Sequence, residues 1–208
     1  MNLTELPHRT LAIVRGTDRD AALSTVLTLA EEGITAAEVS LTTPDALGVI
    51  AQARRELGPQ ATLGAGTVLT GDDAARAAEA GASFLVTPGL GEDLRRSGRL
   101  ELPLLVGALT PSEVIAASES GALAVKLFPA SLGGAGYLKA LRDPFPTVPF
   151  VPVGGIDAAS ALAYLAVGAV AVGVGSPLVG DAADGGDLGA LRARIARWRA
   201  ALAEEIAA

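Results

Sequence analysis

Two side chains in this sequence have the types and placement for carbonyl chemistry, and the first is a lysine. The chain holds only two lysines, Lys126 and Lys139, against fourteen arginines. Lys126 stands inside Gly121-Ala122-Leu123-Ala124-Val125-Lys126-Leu127-Phe128-Pro129-Ala130-Ser131, which reads as a buried strand with apolar residues on both faces. Burial disfavours the charged form of an amine, so such a lysine sheds its proton easily and becomes a nucleophile near neutral pH. A neutral amine is what imine formation with a ketone requires. The competing reading is a lysine that reaches the strand end and snorkels into water. The second residue is Glu38, in Ala36-Ala37-Glu38-Val39-Ser40-Leu41. Period-two alternation puts Glu38 and Ser40 on one face and Ala37, Val39 and Leu41 on the other. A carboxyl facing an apolar interior titrates upward and can carry protons. Its plainer role is an ion pair with Arg15 or Lys126.

Around these two stand weaker candidates. Arg15 ends Leu11-Ala12-Ile13-Val14-Arg15-Gly16, where a guanidinium could grip a carboxylate or simply sit at the surface. Leu63-Gly64-Ala65-Gly66-Thr67-Val68 offers bare backbone for a ligand, or for tight packing, and the Thr67 hydroxyl. Gly154 and Gly155, in Val153-Gly154-Gly155-Ile156-Asp157, and Gly175 with Ser176, ending Gly173-Val174-Gly175-Ser176, offer backbone N–H groups of the kind that receive phosphate.

The elements that must position these groups alternate along the whole chain. Strands are expected over 11–15, 36–41, 62–68, 84–89, 104–109, 123–129, 149–155 and 169–176. Helices are expected over 18–32, 44–57, 71–80, 91–98, 111–120, 133–141, 157–167 and 187–208, with a flexible loop over 181–187. Eight strands, each followed by a helix, give a single (β/α)8 TIM barrel over residues 1–208 with a short N-terminal segment. A doubly wound sheet shares the rhythm and is the alternative. Gly33, Gly81, Gly121 and Gly168 each close a helix and lead into an even-numbered strand, an alternating echo that suits a ring. In the last helix Leu188, Leu191, Ile195, Trp198 and Leu202 form a buried stripe, and Arg192, Arg194, Arg197 and Arg199 a solvated face. In the sixth strand Ala124, Lys126 and Phe128 point inward, leaving Leu123, Val125 and Leu127 for the helices.

Composition narrows the partners. A net charge of −7 and no basic stripe argue against nucleic acid or an anionic membrane. No apolar run reaches the roughly 20 residues of a membrane helix, and Met1 to Thr10 lacks a signal-peptide core. With no cysteine and the single histidine His8, a cytoplasmic address is expected and a His-rich zinc site is not available, though an all-carboxylate magnesium site stays open.

In order, Ala37-Glu38-Val39-Ser40-Leu41, Gly64-Ala65-Gly66-Thr67-Val68, Val86-Thr87-Pro88-Gly89, Val125-Lys126-Leu127-Phe128-Pro129-Ala130, Gly154-Gly155-Ile156 and Gly175-Ser176 resemble the 2-keto-3-deoxy-6-phosphogluconate (KDPG) aldolase family, which includes phosphogalactonate (KDPGal) and 4-hydroxy-2-oxoglutarate aldolases. The likeness runs from about Leu11 to Val179. It implies a class I aldolase on a (β/α)8 barrel, generally a homotrimer, with no cofactor and no metal. It implies Lys126 as the imine-forming lysine and Glu38 as the acid/base. Thr67 would lie near the pyruvyl carboxylate, Pro88 and Phe128 would line the pocket, and Gly155 with Ser176 would lie near the phosphate. Thr42, where many phosphogluconate-type enzymes carry arginine, and Val153, where they carry threonine, look more like the phosphogalactonate branch, as does Ile13-Val14-Arg15-Gly16. The carboxylate grip then falls to Arg15. Other readings are a phosphate-binding epimerase or synthase barrel with Lys126 structural, a catalytically silent barrel that senses a phosphorylated metabolite, and a barrel in which Lys126 only packs.

Overall fold

The computed structural model describes residues 1–96 and 102–206. Eight parallel strands follow one another in chain order: β1 (Thr10–Val14), β2 (Ala36–Ser40), β3 (Thr62–Gly66), β4 (Phe84–Val86), β5 (Leu104–Ala108), β6 (Ala124–Leu127), β7 (Phe150–Pro152) and β8 (Val172–Val174). Between and after them run α1 (Arg19–Glu31), α2 (Ala46–Leu57), α3 (Gly71–Glu79), α4 (Glu92–Arg96), α5 (Pro111–Glu119), α6 (Gly134–Arg142), α7 (Ala158–Ala166), α8 (Ser176–Val179) and α9 (Leu188–Ile206). Pairing runs β7-β6-β5-β4-β3-β2-β1-β8. Because β1 pairs with both β2 and β8, the sheet curls round on itself, and a bridge from Val153 to Gly173 joins its two ends. That closure excludes the doubly wound alternative. The expected helix over 91–98 and the expected end at Ala208 run past the described residues.

Local chemistry explains the alternation. Three helices that follow odd strands open with capping boxes: Thr70 with Asp73, Thr110 with Glu113, and Asp157 with Ser160. Each satisfies orphan N–H groups at the helix start and contributes about 1 kcal/mol. At the other ends, Gly33, Gly81, Gly121 and Gly168 all take the left-handed backbone the pattern predicted, with φ of 86°, 92°, 78° and 95°.

The strands divide two apolar layers. Outward residues such as Val39, Ala65, Val125 and Val174 pack on the helices. Inward residues such as Leu11, Phe84, Leu105 and Val151 fill the ring, and Leu3 and Leu6 of the N-terminal segment join them. Leu123 was expected among the helices. It packs instead on this inner cluster.

The arginines also depart from expectation. In the stripe of α9, Leu191, Ile195, Trp198 and Leu202 are buried as predicted. The opposite face is more than solvated: Arg194 donates to the carbonyls of Leu178 and Val179, and Arg199 to that of Glu32. Elsewhere Arg142 donates to Val167 O at 2.7 Å, and Arg54 to the carbonyls of Gly58, Pro59, Ala61 and Gly81. These carbonyls end helices α8, α1, α7, α2 and α3 or lie within four residues after them. The rigid, many-donor guanidinium reaches several at once, which an ammonium does less well.

Several boundaries moved. β4 stops at Val86, where the Thr87 hydroxyl turns back to Gly89 O at 2.5 Å. β8 is confined to Val172–Val174, and Ser176 starts a short helix instead of ending a strand. The expected loop over 181–187 contains a 3-10 turn, Ala182–Asp184. Asp184 Oδ1 there accepts from the Thr17 N–H at 2.7 Å and its hydroxyl at 2.9 Å, tying this segment to the chain just after β1.

Candidate active site

Parallel strands send all their C-terminal ends to one rim, so the inward residues nearest those ends share a mouth. Lys126 occupies the third position of β6, opposite Gly107 and Val151. It is 5% exposed. Burial pulls its amine below the usual lysine range, Glu38 opposes that pull, and the positive charge of Arg15 adds to it. Its Nζ lies 5.0 Å from the centroid of the Phe128 ring. Phe128 follows β6 and stands at the rim, partly exposed, not inside the wall.

Glu38 sits on β2 between Ile13 and Gly64 and is 2% exposed. Desolvation raises its carboxyl above the ordinary range, against the attraction of Lys126 and Arg15. Its Oε2 is buried without a hydrogen-bond partner among the described residues. There, no ion pair joins Glu38 to Lys126 or Arg15, so the expected structural bridge does not form and the groups act on each other through space. In a dry interior such attraction is stronger than it would be in water.

The glycines of β3 prove to serve packing. A Cβ on Gly64 would fall 2.4 Å from the Phe84 ring, and one on Gly66 would fall 2.5 Å from Glu38 Oε1. Glu38 therefore lies flat against the backbone of its neighbouring strand. Just beyond Gly66, Thr67 holds φ of 59°. For a β-branched residue that conformation carries strain on the order of 1–3 kcal/mol, and such strain concentrates at working sites.

Arg15 continues the inward register of β1 and stays exposed at the rim. Its Nε donates to Ser40 Oγ at 3.3 Å and its NH2 to Thr67 Oγ1 at 3.5 Å. Ser40 Oγ is in turn 2.8 Å from both Thr67 Oγ1 and Thr42 Oγ1. The sequence placed Ser40 inward but gave it no part in the site, and Thr42 figured only as a departure from a family pattern. Extending the period-two face of Glu38 to Ser40 and Thr42 would have found both.

The remaining candidates line the rim. Pro88 is half-buried, and its carbonyl would lie 2.0 Å from a Cβ at position 107, so Gly107 is needed for β5 to pass. Gly154 and Gly155 hold φ of 100° and 73°, and the Phe128 ring lies 3.2 Å from where a Cβ on Gly154 would be. Ser131 N–H donates to Gly154 O at 3.1 Å, docking the turn after β6 on the turn after β7. Gly175 precedes the exposed Ser176 at the end of β8, one strand further round. Thus Lys126, Glu38, Arg15, Thr67 and Phe128 are joined by contacts or by charge, while Pro88, Gly154, Gly155, Gly175 and Ser176 follow the strands of the same rim. Among the described residues no three His, Cys, Asp or Glu side chains cluster as a metal site would require.

Comparison with known proteins gives a consistent result. The family model described as "Aldolase: KDPG and KHG aldolase" matches residues 4–193. The 2-dehydro-3-deoxy-phosphogluconate aldolase of Pseudomonas aeruginosa is 43% identical over 141 residues, covering 67% of this chain and 64% of that protein, a little under two thirds of its length. The solved structure described as native KDPGal superposes with a TM-score of 0.88 at 30% identity, covering 98% of both chains. KDPG aldolase from Legionella pneumophila, with pyruvate captured as a covalent carbinolamine, gives a TM-score of 0.83 at 30% identity over 96% of this chain and 95% of that one.

Proposed function

The chain belongs to the KDPG and KHG aldolase family, and we propose that it is a class I aldolase cleaving a 2-keto-3-deoxy-6-phospho-sugar acid to pyruvate and glyceraldehyde 3-phosphate. The observation that carries this reading is the buried amine of Lys126 facing, without an ion pair, a buried carboxyl with an unpartnered oxygen. Burial raises the carboxyl and lowers the amine, so a proton shared by the pair can rest on either partner. With the proton on Glu38, Lys126 is a free amine and attacks the C2 ketone. Glu38 gives its proton to the departing water, leaving an iminium whose fixed positive charge holds Glu38 in its ionised form. Glu38, directly or through one water, then takes the C4 hydroxyl proton as the C3–C4 bond breaks and its electrons pass into the iminium. The aldehyde leaves, the enamine regains a proton at C3 from Glu38, and hydrolysis releases pyruvate and restores the amine. A shuttle of this kind contributes typically 10²–10⁴-fold.

Arg15 and Thr67 receive the substrate carboxylate in this proposal, Pro88 and Phe128 flank its carbon chain, and Gly154, Gly155, Gly175 and Ser176 receive the phosphate. The route uses a covalent imine and needs neither cofactor nor metal. Val153, 5% exposed and apolar, and Thr42 in place of arginine favour the galactonate epimer over the gluconate one. Cleavage of 4-hydroxy-2-oxoglutarate to pyruvate and glyoxylate uses the same groups without the phosphate loops. The working unit is one catalytic domain over residues 1–208, acting in the cytoplasm as a homotrimer. Exposed Leu69, Ile115 and Leu132 offer apolar surface for that association.

Incubation with pyruvate and borohydride, followed by mass spectrometry, should place a reduced adduct on Lys126. Pyruvate release from each C4 epimer then assigns the substrate. An adduct on Lys139 alone, or no release from either epimer and none from 4-hydroxy-2-oxoglutarate, would end the proposal.

A further inference from the structure

The most elaborate hydrogen bonding at the mouth centres on a residue with no place in the reaction just described. Ser40 is the last residue of β2, fully buried, two positions beyond Glu38 on the same inward face. Its register partner is Gly66, against whose bare backbone Glu38 lies. Four groups converge on its Oγ: Thr42 Oγ1 and Thr67 Oγ1 at 2.8 Å, Arg15 Nε at 3.3 Å and the Thr42 N–H at 3.5 Å.

A hydroxyl has one proton to give and two lone pairs to accept with. Arg15 Nε–H can only donate, so it takes one lone pair. The Thr42 N–H, at 3.5 Å the longest of the four contacts, shares a lone pair with another donor, so Ser40 donates to one threonine and accepts from the other. If Thr67 donated to Ser40, its proton would be spent inward and only lone pairs would face the mouth, where they repel a carboxylate. If Ser40 donates to Thr67, the Thr67 oxygen accepts from Ser40 and from Arg15 NH2, and its own proton is left to point outward. Thr42 then supplies the proton that Ser40 accepts. An anion at the mouth selects this second arrangement.

We propose that Ser40 is a positioning residue: its buried hydroxyl aims Arg15 and turns the Thr67 proton toward the carboxylate of a 2-keto acid. The inference rests on the aldolase reading and deepens its carboxylate end. It assigns Ser40 no contact with the reacting carbons, so its loss weakens capture of the carboxylate and leaves the imine chemistry intact.

The test follows methyl proton exchange of pyruvate in deuterated water by NMR, a half-reaction needing only imine and enamine. Ser40→Ala should raise the pyruvate concentration for half-saturation roughly 10-fold, as loss of a charge-assisted hydrogen bond does, with the saturating rate within about twofold of wild type. Ser40→Cys, which keeps the volume and surrenders most of the bonding, should track it, and Ser40→Thr, which keeps the hydroxyl, should restore affinity. Introduced into an Arg15→Ala/Thr67→Val background, Ser40→Ala should add no more than about twofold, because the groups it acts through are gone. The proposal is overturned if Ser40→Ala leaves half-saturation unchanged, lowers the saturating rate instead, or keeps its full effect in that background. Absence of exchange in the wild-type protein would remove the aldolase reading itself, a different outcome from a wild-type exchange that Ser40→Ala leaves unaltered.

Discussion

Replacing Lys126 by methionine should make the stability of this protein fall with pH in a way the wild type does not. Methionine matches lysine closely in length and volume, and the site is 5% exposed, so the change removes a buried amine without opening a cavity. In the proposed resting state of the wild type, Lys126 and Glu38 share one proton. The unfolded chain also holds one, on the lysine. Proton counts match, and the pair contributes no slope. In the variant, Glu38 keeps the carboxyl that desolvation raises and loses the opposing pull of Lys126. The folded state then binds one proton that the unfolded state does not. A raised folded value gives stability that is full below the ordinary glutamate range and lost as pH rises through the folded value. Within that window the slope reaches about −1.4 kcal/mol per pH unit. At the acidic end the variant should match or exceed the wild type, since an apolar group replaces a desolvated amine. Urea unfolding followed by the fluorescence of the single, buried Trp198 measures this directly. Parallel curves for the two proteins would refute the reasoning, because Glu38 would then carry no extra proton. Pyruvate release by the same variant should drop by more than about 10³-fold.

Glu38→Gln should retain borohydride trapping of pyruvate on Lys126 and lose about 10²–10⁴-fold in cleavage rate; cleavage within tenfold of wild type would remove Glu38 from proton transfer. Gly66→Ala would set a methyl 2.5 Å from Glu38 Oε1, so the carboxyl must move; we expect a loss of about 1–3 kcal/mol in denaturant unfolding and a fall in turnover larger than for alanine at solvent-facing Gly58. Arg54→Ala strips donors from four carbonyls around Gly58 and Gly81 and should cost about 2 kcal/mol, with turnover per folded molecule intact. Arg54→Lys should recover less than half of that, and full recovery would contradict the need for a fork.

The barrel was legible because its punctuation is chemical. Glycines that accept a left-handed backbone are local signals, and they mark the junctions whatever the tertiary structure does. Lys126 and Glu38 were legible for a related reason: a charged residue in a run of period-two apolar neighbours must face the side that tolerates it. What failed depended on contacts distant in the chain. The glycines of β3 allowed either a ligand or tight packing, and only the positions of Phe84 and Glu38 decide for packing. The arginines of α9 looked solvated, because nothing local reveals that Leu178, Val179 and Glu32 end nearby helices with bare carbonyls. The 181–187 segment looked loose, since its anchor, Thr17, lies far away in sequence. Strand ends slipped at β4 and β8, where a side-chain bond and a helix start interrupt an apolar run that would otherwise continue.

Tying helix ends with guanidinium groups has a consequence for how this protein meets amine-seeking reagents. Where another barrel would spread ammonium groups over its surface, this one leaves two side-chain amines, exposed Lys139 and interior Lys126. Reductive labelling therefore faces almost no competing background: the mass of the whole chain counts the amines taken, and one digestion that parts residue 126 from residue 139 says which.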